Sequence, residues 1–528
     1  MSQVLETRIL DADTVPATKI TKAMIVGLYG IENSGVRHLT AMLRSRGYRA
    51  DLMFFKDWRH NRVEWPTDGE YALLVEQVRR EGYDVVGLSF GSPYFRVAIE
   101  VTNALKALPN PPRVIWGGLH TTLTPEQCIE HTDILCVGEG EFPLLSFMDT
   151  IERGGDPKET GSFWFREPDG SIRKNPIAEL MTGGLDELPF RTYGGDAVWL
   201  IDHDQITRGD PQLRHHEFRV FASRGCPYKC AYCYNSSLRN IYPEGRGNYH
   251  RRRSVPYVIQ EIQLALKKMP NVRWIKFDDD TFVFPKAWLE EFCATYKQEI
   301  GLPWDCMLTP DVARIENLRM LKDAGLRGCQ MGIEAGSDRE QKEVYDRTTT
   351  VKQILAFDEM NLELELDVKY DVIIDNPLAW STDKDALFHL LMDLKSPYKI
   401  YLYSLTLYPQ SAVTDKMIKA GYATAHDVEG LGTKSFRQFR VSVDWARSHE
   451  DKFYLALYML VNKGLPKPLI RSFYESAFFR RHPDLLLELA QVANLFRMSQ
   501  IAAEMAWRGD LSVQKVREYG DIRRMINQ

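Results

Sequence analysis

The chain has 528 residues, 44% hydrophobic and 26% charged, with a formal net charge of −5 and eight cysteines. That is the composition of a globular protein with room for about three domains. The slight acidity excludes a nucleic-acid footprint, no apolar run reaches the roughly 20 residues a bilayer demands, and the N-terminus lacks the form of a signal peptide, so a cytoplasmic protein is expected. Eight cysteines in such a length make no disulfide framework, and Cys128, Cys136, Cys293, Cys306 and Cys329, scattered singly, are expected as buried structural thiols.

In chain order, residues 24–29 form a short apolar run ending in Gly30 and read as a buried strand. An amphipathic helix follows over 35–47, with Val36, Leu39, Met42 and Leu43 on one face; His38 within it is expected at the surface. Further strands are expected at 49–55, 84–90, 113–116 and 134–137, with helices near 70–81 and 95–107. Strands alternating with helices predict a parallel, doubly wound sheet, which binds ligands in the crevice at the carboxyl ends of its strands. Those ends carry Asn33, Ser34 and Gly35, then Ser89 and Gly91, Gly117 and Gly118, and Gly138 and Glu139. No lysine stands in a phosphate-loop place and there is no GxGxxG, so neither a nucleoside triphosphate nor a dinucleotide is supported.

From 151 to 216 the periodicity weakens, which predicts a linker with one hairpin in it: Phe163, Trp164 and Phe165 before Pro168, Asp169 and Gly170, and Ile172 after. A strand at 217–222 then delivers Cys226, Cys230 and Cys233. Their spacing suits iron–sulfur chemistry. Four cysteines would close every iron of a cubane; three leave one iron open, just as a catalytic zinc site keeps a position free. A zinc knuckle would need a fourth Cys or His nearby, and His250 is the nearest downstream histidine.

Later strands at 273–277, 304–308, 329–334, 367–374 and 399–407, with helices between them such as 254–269 behind its Ser254 cap, predict a partial barrel. Active groups on barrels sit at the carboxyl ends of the strands. Here those ends carry Asp278, Asp279 and Asp280, then Glu334, then Asp375. Arg251, Arg252 and Arg253 read as a solvated run or as a contact for an anionic group. After Pro409 the pattern is helical, with apolar stretches at 453–460 and 485–490 and the arginines Arg471, Arg480, Arg481, Arg497, Arg508, Arg517, Arg523 and Arg524 spread between them. Helices packed on the barrel explain this; a lid, or a surface for a lipid-like or anionic substrate, is the alternative.

Cys226, Cys230 and Cys233 match the CxxxCxxC signature, and on it the chain resembles the radical S-adenosylmethionine (SAM) superfamily. The resemblance implies a [4Fe-4S] cluster whose open iron is chelated by the methionine part of SAM, and whose electron cleaves SAM to a 5′-deoxyadenosyl radical. The segment VIWGGLHTTLTPEQ…DILCVGEGE looks like the cobalamin-binding domain of the cobalamin-dependent branch; DDxF ending in Phe282 and the run from Gly332 to Ser337 are similar to that branch's strand ends. The implied fold class is α/β: an N-terminal doubly wound, Rossmann-like cobalamin-binding domain (1–150), a linker (151–216), a partial (β/α)6 radical SAM barrel (217–410) and a mainly helical C-terminal region (411–528).

The resemblance places Tyr232 beside the adenine, Asp279 at the SAM ammonium, Glu334 at the ribose hydroxyls, and Asn33, Ser89, Gly91, Gly117, Gly118, Gly138 and Glu139 around cobalamin. It assigns no catalytic residue. The Asp-x-His-x-x-Gly loop that gives cobalt a histidine in other B12 proteins is absent, so no histidine is expected below cobalt. Asp375 stands where the family usually has the glycine of Gly-x-Pro, leaving less room beside SAM. The implied activity is methylation of an unactivated carbon of a small molecule or natural product, fed by an electron donor of flavodoxin or ferredoxin type. A cobalamin-dependent cyclase or oxidase that moves no methyl group, and an enzyme of cluster and SAM alone, stay open.

Overall fold

In the computed structural model the chain is described over residues 11–57, 65–181, 184–242, 249–429, 447–462 and 465–493. Two sheets dominate it. The first comprises β1 (Lys22–Leu28), β2 (Arg49–Phe55), β3 (Val85–Ser89), β4 (Arg113–Gly117), β5 (Ile134–Cys136), β6 (Phe163–Arg166), β7 (Ile172–Lys174), β8 (Val198–Asp202) and β9 (Gln205–Arg208). Their order is β7-β6-β5-β4-β3-β1-β2-β8-β9. From β5 to β8 the neighbours are parallel, and antiparallel hairpins close both edges. Parallel strands covered by helices are buried on both faces, so β1 and β2 read as near-continuous apolar runs. The order reverses between β1 and β3, which opens a crevice at their carboxyl ends.

The stretch 151–216, expected as a linker, instead completes this sheet. β6 and β7 form the expected hairpin. β8 and β9 form a second one around His203 and Asp204, both at positive φ, as a tight type I′ turn requires. β8 lies along β2 and buries Val198 and Ile201 there. A pairing with a strand so distant in sequence leaves no local periodicity to read.

After β10 (Glu217–Val220), a two-residue antiparallel ladder of β11 (Ser223–Arg224) with β12 (Arg251–Arg252) frames the cysteine loop. β13 (Trp274–Phe277), β14 (Trp304–Leu308), β15 (Leu326–Glu334), β16 (Asp367–Ile374) and β17 (Tyr398–Ser404) then follow β10 in a parallel sheet in chain order. This is a six-stranded partial barrel with helices outside. Along its strands Val220, Ile275, Cys306, Met331 and Tyr370 join the core under the helices. The alternate residues Arg219, Lys276, Asp278, Asp305, Gln330 and Asp371 therefore point inward. Closed barrels fill that space with branched apolar side chains; this one lines it with charge.

The open edge β17 is covered rather than exposed. Helix His449–Asn462 ends on it, and the Asn462 amide both accepts from Ile400 N and donates to Ile400 O, each at 2.8 Å, like one rung of a missing strand. Phe453, Leu457 and Leu460 of that helix join the barrel core. Helices Lys467–Glu475 and Ala477–Arg481 follow, whereas Arg497, Arg508, Arg517, Arg523 and Arg524 lie outside the described residues. No described helix is long and apolar enough to cross a membrane.

Candidate functional site

A cavity of about 360 Å³ joins the carboxyl edge of the first sheet to the mouth of the barrel. Ser89, Gly117, Gly118, Gly138 and Glu139 line it, where the sequence puts them. Asn33 and Gly91 are not among its lining residues: the Asn33 side chain accepts from Val36 N and caps the helix Ser34–Arg44, and Gly91 leads into a tight turn. Gly118 sits at φ +89°, and a Cβ on it would meet Phe90 N at 2.9 Å, so only glycine fits. Deeper in, Gly87 lies in register between Ile25 and Ile115. With Leu39 and Leu144 they form an apolar slot, which a Cβ at Gly87, only 3.2 Å from Ile25 Cδ1, would narrow. A side-chain-free floor with an apolar slot fits a broad macrocycle bearing a ring-ended tail. Cobalamin is such a molecule.

Buried ion pairs clamp the two sheets around the cavity. Arg251 binds Glu139 through both oxygens, Arg224 binds Glu141, and Arg224 lies 3.6 Å from Glu139. Burial alone would raise the Glu139 carboxyl, but Arg224 and Arg251 hold it below the ordinary range. Arg253 binds Glu261 at 3.0 Å and Glu261 binds Arg191 at 2.8 Å. Two of the three arginines are thus buried and paired with acids, and the third, Arg252, is half-buried. Arg251 and Arg253 are spent on ion pairs, and Arg252 donates to Val283 O. His38 also departs from expectation. It is only 2% exposed, lines the cavity, and meets Arg253 Nη2 at 2.8 Å. Amphipathicity put it outside because its neighbour across the chain, Arg253, has no signature in the helix's own sequence.

On the barrel side, Cys226, Cys230 and Cys233 are half-buried. Burial pushes the Cys226 thiol up to about 11 and Cys233 up to about 12, with the other loop cysteines adding to the effect. The loop is held by its backbone: Arg239 donates to Cys226 O, Ser236 Oγ to Cys230 O, Ala231 N to Tyr345 O, and Val413 N to Ala231 O. Among the described residues no three His, Cys, Asp or Glu side chains gather about a single ion position. A cubane offers each thiolate a different iron.

Tyr232 and Glu334 form one unit. Tyr232 OH donates to Glu334 Oε1 at 2.9 Å and accepts from Arg347 Nη1 at 2.6 Å, while Arg347 Nη2 donates to Gly332 O. A break in register between Gly332 and Glu334, with Glu334 at φ 56°, kinks the strand end there. Burial pushes the Glu334 carboxyl up to about 7 against the pull of Arg347. Nothing in the sequence points to Arg347.

Of the three acids after β13, Asp279 turns away from the cavity, to the side that Phe277 takes. It accepts from Ser223 Oγ at 2.5 Å and from Ala222 N, fully buried, and burial pushes it up to about 7. Asp278 and Asp280 line the cavity instead. Asp280 lies near Tyr234, Asn235, Cys226 and Cys233. Alternation explains this: with Phe277 in the core, Asp278 and Asp280 share the opposite side from Asp279. Asp375 takes φ 58°, the conformation in which a glycine is at ease, and its carboxylate is held by Arg447 at 2.6 and 2.8 Å and by Ser404 Oγ at 2.8 Å. The side chain is thereby tied to the C-terminal region.

Comparison with known proteins gives two domain matches: the B12 binding domain over residues 22–147 and the radical SAM superfamily over 220–374. An uncharacterised methyltransferase of Pyrococcus horikoshii is 25% identical over 60% of this chain and 70% of its own. The cytidylyl-2-hydroxyethylphosphonate methyltransferase of Streptomyces wedmorensis is 24% identical over 60% of this chain; the match spans 64% of that protein. Among solved structures, the radical SAM methyltransferase TsrM of Kitasatospora setae, with cobalamin and a [4Fe-4S] cluster bound, superposes at TM-score 0.61 and 16% identity over 77% of this chain and 80% of its own. OxsB, a cobalamin-dependent radical SAM enzyme, does so at 0.64 and 14% identity over 96% and 83%. At such identities the structures attest a shared fold.

Proposed function

Because the chain belongs to the cobalamin-binding radical SAM enzymes, we propose that it is a C-methyltransferase acting on an unactivated carbon of a small, polar molecule. The observation that carries this reading is the single cavity walled on one side by the glycine floor of a B12-type sheet and on the other by the barrel mouth beside the three-cysteine loop. When bound, the cluster with SAM supplies a carbon radical and the corrinoid supplies a methyl group.

The chain's own residues position and shield these groups. Cys226, Cys230 and Cys233 hold the cluster and leave one iron to SAM. Tyr232 would lie against the adenine and Glu334 would accept from the ribose hydroxyls, with Arg347 fixing both side chains. Asp280, open to the cavity beside the cysteine loop, rather than Asp279, faces the SAM ammonium. Gly87, Ser89, Gly117, Gly118 and Gly138 bed the corrinoid. Arg219, Lys276, Asp305, Gln330 and Asp371 favour a polar, charge-bearing substrate over a lipid-like one. A flavodoxin- or ferredoxin-type protein is the expected electron donor.

The test needs no substrate. Anaerobic, cobalamin-loaded protein is given SAM carrying a ¹³C methyl group and a reductant. Label recovered in the extracted corrinoid, with 5′-deoxyadenosine formed, supports a methylase. Deoxyadenosine with an unlabelled corrinoid would replace it by the cyclase or oxidase reading.

A further inference from the structure

We propose that Arg253 withholds the one available lone pair of His38 from cobalt, so that the corrinoid is held without histidine ligation although a histidine stands in the wall of its cavity. The inference rests on the reading of that cavity as the corrinoid site.

His38 lies one turn into the helix Ser34–Arg44, whose first residues Ser34 and Gly35 line the same cavity. An imidazole has two ring nitrogens and, when neutral, one lone pair. His38 Nδ1 is 3.1 Å from the carbonyl oxygen of Ser34, which can only accept, and 3.4 Å from the Ser34 hydroxyl, which can accept too; with a donor at the other nitrogen, Nδ1 carries the hydrogen. Nε2 is left with the lone pair, and a guanidinium, which can only donate, stands 2.8 Å from it. Burial, with Arg253, Arg224 and Arg191 around it, pushes the His38 pKa well below its usual value. The ring is therefore neutral, and the engaged lone pair rather than a proton is what keeps it from a metal.

Arg253 is itself fixed. It is 2% exposed, its Nη1 donates to Glu261 Oε2 at 3.0 Å, and it stacks 4.5 Å from the Tyr257 ring centroid. Glu261 is held in turn by Arg191. A charge-assisted bond in so buried a setting is costly to give up. Arg253 comes from the barrel and His38 from the first sheet's domain, so the block exists only when the two are docked. It is a positioning residue, acting on His38 and not on the reacting atoms.

The experiment is electron paramagnetic resonance of holoprotein loaded with cob(II)alamin, with histidine alone labelled by ¹⁵N so that the corrinoid's own benzimidazole nitrogen is told apart. Wild type should show no coupling that responds to the label, and H38Q should leave the spectrum unchanged. R253M should introduce a label-sensitive nitrogen splitting, and H38Q/R253M should lose it. A wild-type splitting abolished by H38Q would overturn the proposal, and so would R253M that binds corrinoid without acquiring one. If R253M does not fold, R253K, which keeps the charge beside Glu261 on a shorter reach, carries the same prediction. Wild type that binds no corrinoid at all would instead sink the reading of the cavity.

Discussion

The two walls that meet at the cavity are built by opposite means. On the first sheet the working surface is backbone: Gly87, Gly117, Gly118 and Gly138 contribute by having no side chain, and Ser89 by having a small one. On the barrel side it is side chains in contact with one another: Tyr232, Glu334 and Arg347 are bonded into one unit beside the cysteine loop, set back from the residues that line the cavity itself. A wall of absences suits a large, rigid molecule recognised by shape. A wall of paired functional groups suits a small molecule that must be gripped at named atoms. Substitutions should therefore act differently on the two: on the sheet by adding bulk, on the barrel by removing a group.

The largest effect is expected from Cys226→Ala. Iron content should collapse and 5′-deoxyadenosine formation fall by ~1000-fold, the scale of losing an essential group, while corrinoid binding survives. Next, Gly87→Leu should fill the slot between Ile25 and Ile115 and weaken corrinoid binding by ~100-fold, with the cluster's iron unchanged. Together the pair would show that the walls are independent; loss of both cofactors in either variant would break the comparison.

Glu334→Gln should raise the KM for SAM by ~10-fold. A pH series gives the sign. The Glu334 carboxyl is pushed up to about 7 by burial, so it is protonated below that pH and ionised above it. In the proposed site the ionised form is the stronger acceptor for the ribose hydroxyls, so the wild-type KM for SAM should climb as pH falls through about 7, and that of Glu334→Gln should stay flat. The smallest and sharpest test separates neighbours. Asp279→Ala should cost about 2 kcal/mol of stability by leaving Ser223 and Ala222 unpaired, seen as a lower Tm. Asp280→Asn should leave Tm in place and weaken SAM binding by ~10-fold.

What could be read from the sequence follows the same division. The cysteine loop was legible because its residue types and spacing are local, and Glu334 was legible as a strand end because the run from Gly332 to Ser337 carries the family resemblance. The alternation of β1 to β5 with helices was legible because apolar runs and glycine stops are local too. Three things were not. β8 and β9 hide in a polar stretch because they gain a sheet only by lying along β2; the run Val198 to Ile201 followed by Asp202, His203 and Asp204 is the signal that was there to find. The roles of His38, Arg253 and Glu261 come from pairing between domains. Which of Asp279 and Asp280 opens to the cavity depends on the two sides of the β13 strand end, and Asp279 falls on the side of Phe277 in the core.

In the proposed enzyme the glycine-floored sheet and the barrel mouth hold two cofactors about one cavity. Metal analysis of protein made and purified without oxygen in cobalamin-supplied cells tests this arrangement most directly. Stoichiometric cobalt, released as cobalamin, is expected together with the iron and sulfide of a full cluster. Iron and sulfide without cobalt would contradict it, and would leave the glycine-floored sheet as a covering domain on an enzyme of cluster and SAM alone.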